Sequence, residues 1–300
     1  MRPSSRLPHA SAVVRSPLLA ASLLGLMAAI PAGANDAQLE VPDWGAISEP
    51  SPAPARAIGG HALGCLGGAV ELPATGPGYQ VMRPSRNRAY GHPQLVAFIQ
   101  SFARKARADG WPGLLVGDMA QPRGGPITTG HASHQSGLDA DIWFTPAPKR
   151  TLNITERNGM HAVSMVKAAG GAVDPAAWSP AHVRLLRLAA SAPEVDRIFV
   201  NAAIKKAACA AAGRDRRWLA KLRPWWGHTH HFHVRLKCPA GEAACVNQEP
   251  VPAEDGCDAS LEWWFSEEAN AKAATPAPAE PRRIQLADLP PACRGVLYGG

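Results

Sequence analysis

Residues 137–144 (GLDADIWF) and 231–236 (HFHVRL) alternate strictly between apolar and polar side chains. A period of two is the pattern of a β-strand with one face in a core. In the first segment Leu138, Ala140, Ile142 and Phe144 share one face, and Asp139, Asp141 and Trp143 share the other. In the second, Phe232, Val234 and Leu236 oppose His231, His233 and Arg235. Histidines crowd the approach to both: His131 and His134 before the first, His228 and His230 before the second. The two polar faces carry complementary metal ligands, so the fold has to bring distant parts of the chain together.

A hydrolytic zinc site keeps three protein ligands and leaves a fourth position for water. His134 ends a loop, and Asp141 lies on the presenting face of the strand that follows, so a loop folded back over its own strand brings both to one metal. His231 and His233 are two apart on a strand, with Cβ atoms roughly 7 Å apart on one side. Such a pair can place one ring on the metal and the other over the water, as base or transition-state donor. The metal lowers the water pKa towards ~7 and polarises the scissile carbonyl. His131 reads as a second metal ligand, a substrate contact or a loop residue, and His228 and His230 as flanking residues. Trp225 and Trp226 suit either the wall of a cleft or the core. Arg235 suits either a substrate carboxylate or an ion pair. Asp139 and Asp141, on one face, do not straddle a bond as the carboxylates of a glycosidase do. The chain has no H-E-x-x-H helix, G-x-S-x-G elbow or phosphate-binding G-x-x-x-x-G-K-[ST] loop.

The N-terminus reads as an export signal. Arg2, Arg6 and Arg15 precede an apolar run at 18–30 (LLAASLLGLMAAI) that is short of the ~20 residues of a spanning helix. Ala32-Gly33-Ala34 then supplies an A-x-A cleavage signature, which predicts cutting after Ala34; an uncleaved anchor is the rival reading. Loss of residues 1–34, with their three arginines and no acid, takes the net charge from +7 to +4. That is mildly basic, with no clustered basic stripe of the kind nucleic acid needs. Cys65, Cys209, Cys238, Cys245, Cys257 and Cys293 form an even set without a C-x-x-C pair, as expected of disulfides in an exported protein. Six cysteines allow fifteen pairings. An oxidised set also disfavours a cysteine nucleophile.

Residues 35–60 are rich in Pro, Ala and Ser and read as an extended lead-in. A helix is expected from His92-Pro93 to Gly110, with Leu95, Phe98, Ile99, Phe102 and Ala106 on one face. Residues 114–119 and 195–200 suit strands, 120–136 a loop, and Ser179-Pro180 a helix start. A short helix is expected at 202–212, stopped by Gly213. Residues 266–290 turn to Ala, Pro, Glu and Lys and read as poorly structured. The domain expected is therefore 61–265, of α+β class, with a small antiparallel sheet carrying the zinc site and flanked by helices. Extended N- and C-terminal segments flank it, the latter a tail at 266–300 tied back through Cys293.

HASHQSGLDADIWF and RPWWGHTHHFHVRLKCP together closely resemble the penicillin-insensitive murein endopeptidases, secreted zinc peptidases of the bacterial cell wall. The resemblance runs from Cys65 through GHPQLVAFIQ and RIFVNAAIK to the C-terminal cysteines. That family belongs with the lysostaphin-type peptidases, the D-Ala-D-Ala carboxypeptidases and the hedgehog signalling domain. The resemblance implies His134, Asp141 and His233 as zinc ligands and His231 as the unligated catalytic histidine. It also implicates His131, and a downstream Asp-x-x-His segment, in binding further metal. Here that segment is Asn158-Gly159-Met160-His161, with asparagine, a poorer cation ligand, in the aspartate's place. The implied disulfides are Cys65–Cys293, Cys209–Cys257 and Cys238–Cys245. The implied activity is β-lactam-insensitive hydrolysis of D-alanyl–meso-diaminopimelyl cross-links of peptidoglycan in the periplasm. A D,D-carboxypeptidase and a non-catalytic murein-binding protein are the alternatives. No integral membrane segment is expected after signal cleavage, and a homo-oligomer is compatible with the sequence.

Overall fold

The computed structural model describes residues 43–274 and 284–299. The export signal expected at 1–34 lies outside the described residues. Eleven strands are present among them: β1 Arg56–Gly59, β2 Gly64–Gly67, β3 Val70–Glu71, β4 Thr75–Gly76, β5 Tyr79–Val81, β6 Tyr90–Gly91, β7 Leu114–Val116, β8 Asp139–Trp143, β9 Val195–Val200, β10 Leu222–Pro224 and β11 His231–Leu236. Seven of them form one sheet in the order β10-β9-β11-β8-β7-β5-β4. Its centre, β9-β11-β8-β7, is antiparallel as expected, while β5 and β7, and β9 and β10, run parallel.

The two alternating segments are neighbours at this centre. Opposite residues in the β8–β11 pair are Asp141 with His233, Asp139 with Arg235, and Ala140 with Val234. Directly opposed residues share a face. One face of the pair is therefore apolar and the other holds the ionisable groups. The apolar face, with Ala140, Ile142, Phe232 and Val234, packs against two helices, α1 Pro93–Ala108 and, beyond the short α2 Ile154–Gly159, α3 Pro180–Ala190.

Helix α1 starts where its sequence signals place it. The His92 side chain accepts a hydrogen bond from the Gln94 backbone N–H, and Pro93 occupies the first turn, where no N–H is needed. Its inward stripe of Leu95, Phe98, Ile99, Phe102 and Ala106 is buried, and Phe102 meets Phe232 edge-on at 6.3 Å. Burying each of the larger side chains contributes roughly 1.5–3 kcal/mol. Helix α4, Ala202–Ala211, continues from β9, its first turn capped by Asn201.

Three disulfides tie the periphery down: Cys65–Cys293, Cys209–Cys257 and Cys238–Cys245, the same pairs the resemblance implies. Two segments are more structured than their composition predicts. The Pro/Ala-rich lead-in at 35–60 contains β1, whose Ala57 and Ile58 are buried in a hairpin with β2. In the 266–290 segment, read as poorly structured, Ser266 and Glu267 open a helix. After the short α5, Ala259–Glu262, α6 spans Glu267–Ala274. Beyond it α7, Ala292–Tyr298, inserts Cys293, Val296 and Leu297 into a second small core with Trp44, Ile58 and Cys65. For β1 and α7 the cause is shared: apolar side chains and the Cys65–Cys293 bond supply contacts that local composition does not show.

Replacing Cys65 and Cys293 by serine should cost roughly 2–5 kcal/mol, because the bond spans 228 residues of sequence. Urea denaturation measures the loss, and hydrogen exchange in α7 should rise first. An unchanged midpoint would contradict this account of the staple.

Candidate metal centre

The loop before β8 delivers His134 to the polar face of the sheet. Its backbone is left-handed at φ 68°, a conformation that costs a non-glycine residue energy. Asp139 holds it there: the His134 N–H donates to Asp139 Oδ2 at 3.2 Å, and Nδ1 lies 3.3 Å from the Asp139 carbonyl oxygen. Nε2 is left to face Asp141. Gly137 makes the turn at φ 72°, where a Cβ would come within 2.3 Å of Leu66 Cδ2.

Four imidazoles surround the Asp141 carboxylate. On the Oδ1 side lie His233 Nδ1 at 3.3 Å, His134 Nε2 at 3.6 Å and His231 Nε2 at 3.6 Å. On the Oδ2 side lies His131 Nδ1 at 3.7 Å. The ligand atoms of His131, His134 and Asp141 all fall within 4.8 Å of one another. The polar face is thus a buried cluster, whereas alternation alone reads it as a face presented outward. His134 and Asp139 are completely buried, and Asp141 and His233 are nearly so.

Burial and neighbouring charge decide the protonation states. Burial pushes His134 down to about 3 and His231 down to about 4, which makes both neutral imidazoles with a free lone pair. For Asp141 burial opposes ionisation, but His231, His134 and His233 outweigh it and hold the carboxyl well below its usual range. For His233 burial opposes the charged form, and Asp139 with Asp141 overcomes it and raises the pKa. Several buried atoms make no well-aligned hydrogen bond among the described residues: His61 Nδ1 and His233 Nε2 lie 2.9 and 3.1 Å from Asp139 without one, and His134 Nε2 and Asp141 Oδ1 face each other. Leaving two such atoms 3.6 Å apart and unsatisfied is costly, and a shared cation is the ligand their chemistry suits.

His131 has a different setting. Its Nε2 lies 3.0 Å from Asp118 Oδ2, which also accepts from Arg86 at 2.9 Å and Arg88 at 3.0 Å. Burial opposes ionisation of Asp118, but His131 and the two arginines take its pKa down to about 2. His161 is exposed and lies outside the donor group around Asp141. The Asn158 oxygen is occupied elsewhere, accepting from the Ser85 N–H at 3.2 Å and the Ser85 hydroxyl at 2.8 Å.

The family model for penicillin-insensitive murein endopeptidases matches residues 57–298. The chain belongs to that family. A penicillin-insensitive murein endopeptidase of Yersinia enterocolitica is 44% identical over 277 residues, covering 92% of this chain and 96% of its own. One of Haemophilus influenzae is 47% identical over 226 residues, covering 74% and 79%. A third, of Klebsiella pneumoniae, is 43% identical over 264 residues, covering 88% and 94%.

In this member of the murein endopeptidase family the flanking residues also find their places. His230 Nδ1 lies 2.9 Å from His231 Nδ1, and His228 packs against His231 with ring centroids 4.9 Å apart. Of the two readings open for Arg235, the structure shows the ion pair: Nε and Nη2 donate to the two oxygens of Asp139 at 2.9 and 2.7 Å. Trp225 is 49% exposed and stands 5.8 Å from Phe199, which in turn meets His233 edge-on at 5.4 Å. Trp226 packs on Trp264 at 4.7 Å, so the tryptophans form a surface band beside the centre and not core. Sequence reading misses His61, Asp118 and Phe199. Asp118 closes a strand-like run, but His61 carries no local signal at all.

Removal of the guanidinium by Arg235→Met leaves the buried Asp139 carboxylate with only His61, His233 and the His134 N–H beside it, which should cost about 3–5 kcal/mol. Denaturation of the metal-free variant against wild type checks the figure; a loss under about 1 kcal/mol would mean the pair is not holding the site together.

Proposed function

We propose that the protein is a periplasmic zinc endopeptidase that hydrolyses D-alanyl–meso-diaminopimelyl cross-links of murein. The observation that carries the metal reading is the buried, unpartnered pair His134 Nε2 and Asp141 Oδ1, with His233 Nδ1 on the same side of the carboxylate. Two imidazole nitrogens and one carboxylate oxygen are a zinc-type donor set that leaves a fourth position open. In this reading His134, Asp141 and His233 hold the ion. Once bound, zinc supplies Lewis acidity, acidifying water and polarising the scissile carbonyl.

His231 is the catalytic base and acid. It shares the Oδ1 side of Asp141 with the ligands, and burial keeps its imidazole neutral, so Nε2 can take a proton from the attacking water and return it to the leaving amine. The contact to His230 holds the far nitrogen and with it the plane of the ring. His131, with Nε2 at Asp118 and Nδ1 facing Asp141 Oδ2, lies within reach of His134 and Asp141 and is the further donor the centre can use for metal. Trp225 and Trp226 wall the substrate cleft one ring beyond Phe199. No serine is acylated in such a mechanism, which accounts for insensitivity to β-lactams.

The compartment follows from the substrate and the cysteines. Three disulfides with no free cysteine among the described residues fit an oxidising environment. No described helix is long and apolar enough to cross a membrane.

Purified cross-linked muropeptide dimers provide the substrate for a direct assay. Zinc-loaded protein should convert them to monomers, chelator should stop the reaction, and added zinc should restore it. Dimers left intact by loaded protein, or cut equally well after metal removal, would refute the proposal. His231→Ala should keep its zinc while turnover falls about 10²–10⁴-fold; full activity in that variant would remove the residue's role. Trp225→Ala should act chiefly on KM, and a variant with wild-type KM would take Trp225 out of the cleft.

A further inference from the structure

Asp139 is completely buried two residues before Asp141, and both its oxygens are occupied. Oδ1 accepts from Arg235 Nε at 2.9 Å and has His61 Nδ1 beside it, also at 2.9 Å. Oδ2 accepts from Arg235 Nη2 at 2.7 Å and from the His134 N–H at 3.2 Å, and His233 Nε2 lies 3.1 Å away. Asp139 therefore touches two residues of the donor set, in each case through an atom that does not face Asp141. With the arginine fork across it, the carboxylate is a poor candidate for a ligand in its own right.

His61 reaches this carboxylate from outside the main sheet. It sits in the turn of the β1–β2 hairpin, which is fastened at three places. Cys65 is bonded to Cys293 in α7. Gly59 donates its N–H to Ala244 O at 2.8 Å and accepts from Val246 N–H at 3.0 Å, on either side of Cys245 and its bond to Cys238. The turn itself grips Gln135, the residue after His134. The Gln135 N–H donates to His61 O at 3.0 Å, its side-chain amide donates to Ala62 O at 2.8 Å, and its Oε1 accepts from Gly64 N–H at 3.2 Å.

We propose that Asp139 is the positioning residue of the metal centre and that His61, delivered by the disulfide-fastened hairpin, completes it. Asp139 fixes the plane and tautomer of His233 so that Nδ1 faces Asp141, and it holds the left-handed turn that aims His134 Nε2 at the same point. His61 holds Asp139 in place from the side opposite His233. Partners of this kind on the far side of a ligand imidazole typically change metal affinity 10–100-fold when removed. The inference rests on the zinc reading above, and it adds two residues that neither bind the ion nor meet the substrate.

The test is zinc affinity of the disulfide-intact protein, by competition with a chromophoric chelator, together with the visible spectrum of the Co²⁺-loaded form. Asp139→Asn should weaken zinc binding by about 10–100-fold and change the cobalt bands. His61→Ala should weaken it by about tenfold, and His61→Gln, which keeps an N–H towards Asp139, should recover most of that loss. A merely structural ion pair would lower thermal stability in these variants without moving the cobalt spectrum. If Asp139→Asn does not fold, the two His61 variants decide the matter. Wild-type affinity and spectra in the variants would overturn this proposal alone, whereas a wild-type protein that binds neither ion would overturn the zinc reading and this proposal with it.

Discussion

The register of β8 against β11 is the constraint on which the rest depends. It sets His233 opposite Asp141 and Arg235 opposite Asp139 on one face, with Ala140, Val234, Ile142 and Phe232 on the other. A slip of one residue would reverse the faces of the slipped strand, putting either Asp139 and Asp141 or His231, His233 and Arg235 into the helix-packed core. Because the apolar side is locked against α1 and α3, hydrophobic burial indirectly sets the geometry of the polar side. Core packing and site assembly are two consequences of one pairing.

Such a cluster would be unfavourable if its charges stood alone, since a buried carboxylate loses several kcal/mol of solvation. Here each carboxylate has its own compensation. Asp139 has Arg235, Asp118 has Arg86, Arg88 and His131, and Asp141 has a ring of histidines. Only Asp141 lacks an arginine, and its Oδ1 is the oxygen with no hydrogen-bond partner among the described residues. The distribution of positive charge thus marks one carboxylate out for a cation. In the proposed mechanism the same burial that strips His231 of its charge is what lets it act as a base.

Much of this was legible in the sequence because period-two alternation reports directly on strand faces. Residues 137–144 and 231–236 read as alternating strands and contain β8 and β11, and Asp141, His134, His231 and His233 read as neighbours and are neighbours. Alternation could not show that the polar face is covered. It records only that those side chains avoid the main core, so Asp139 read as presented when the β1–β2 hairpin buries it. His61, Asp118 and Arg88 were invisible for a related reason, since each reaches the site through a tertiary contact with no periodic signature. The helix α7 was hidden by tail-like composition, and only Cys293 hinted that something held it.

The ligand set decides how this face of the sheet works. Zinc-edge anomalous diffraction from crystals of the zinc-loaded protein addresses it directly. One peak is expected, bonded to His134 Nε2 and His233 Nδ1 at about 2.0–2.1 Å and to Asp141 Oδ1 at about 2.0–2.2 Å, with His231 unligated beside it. A peak bonded to His131 in place of His233, a bond to His231, or no peak on this face of the sheet would contradict this ligand set.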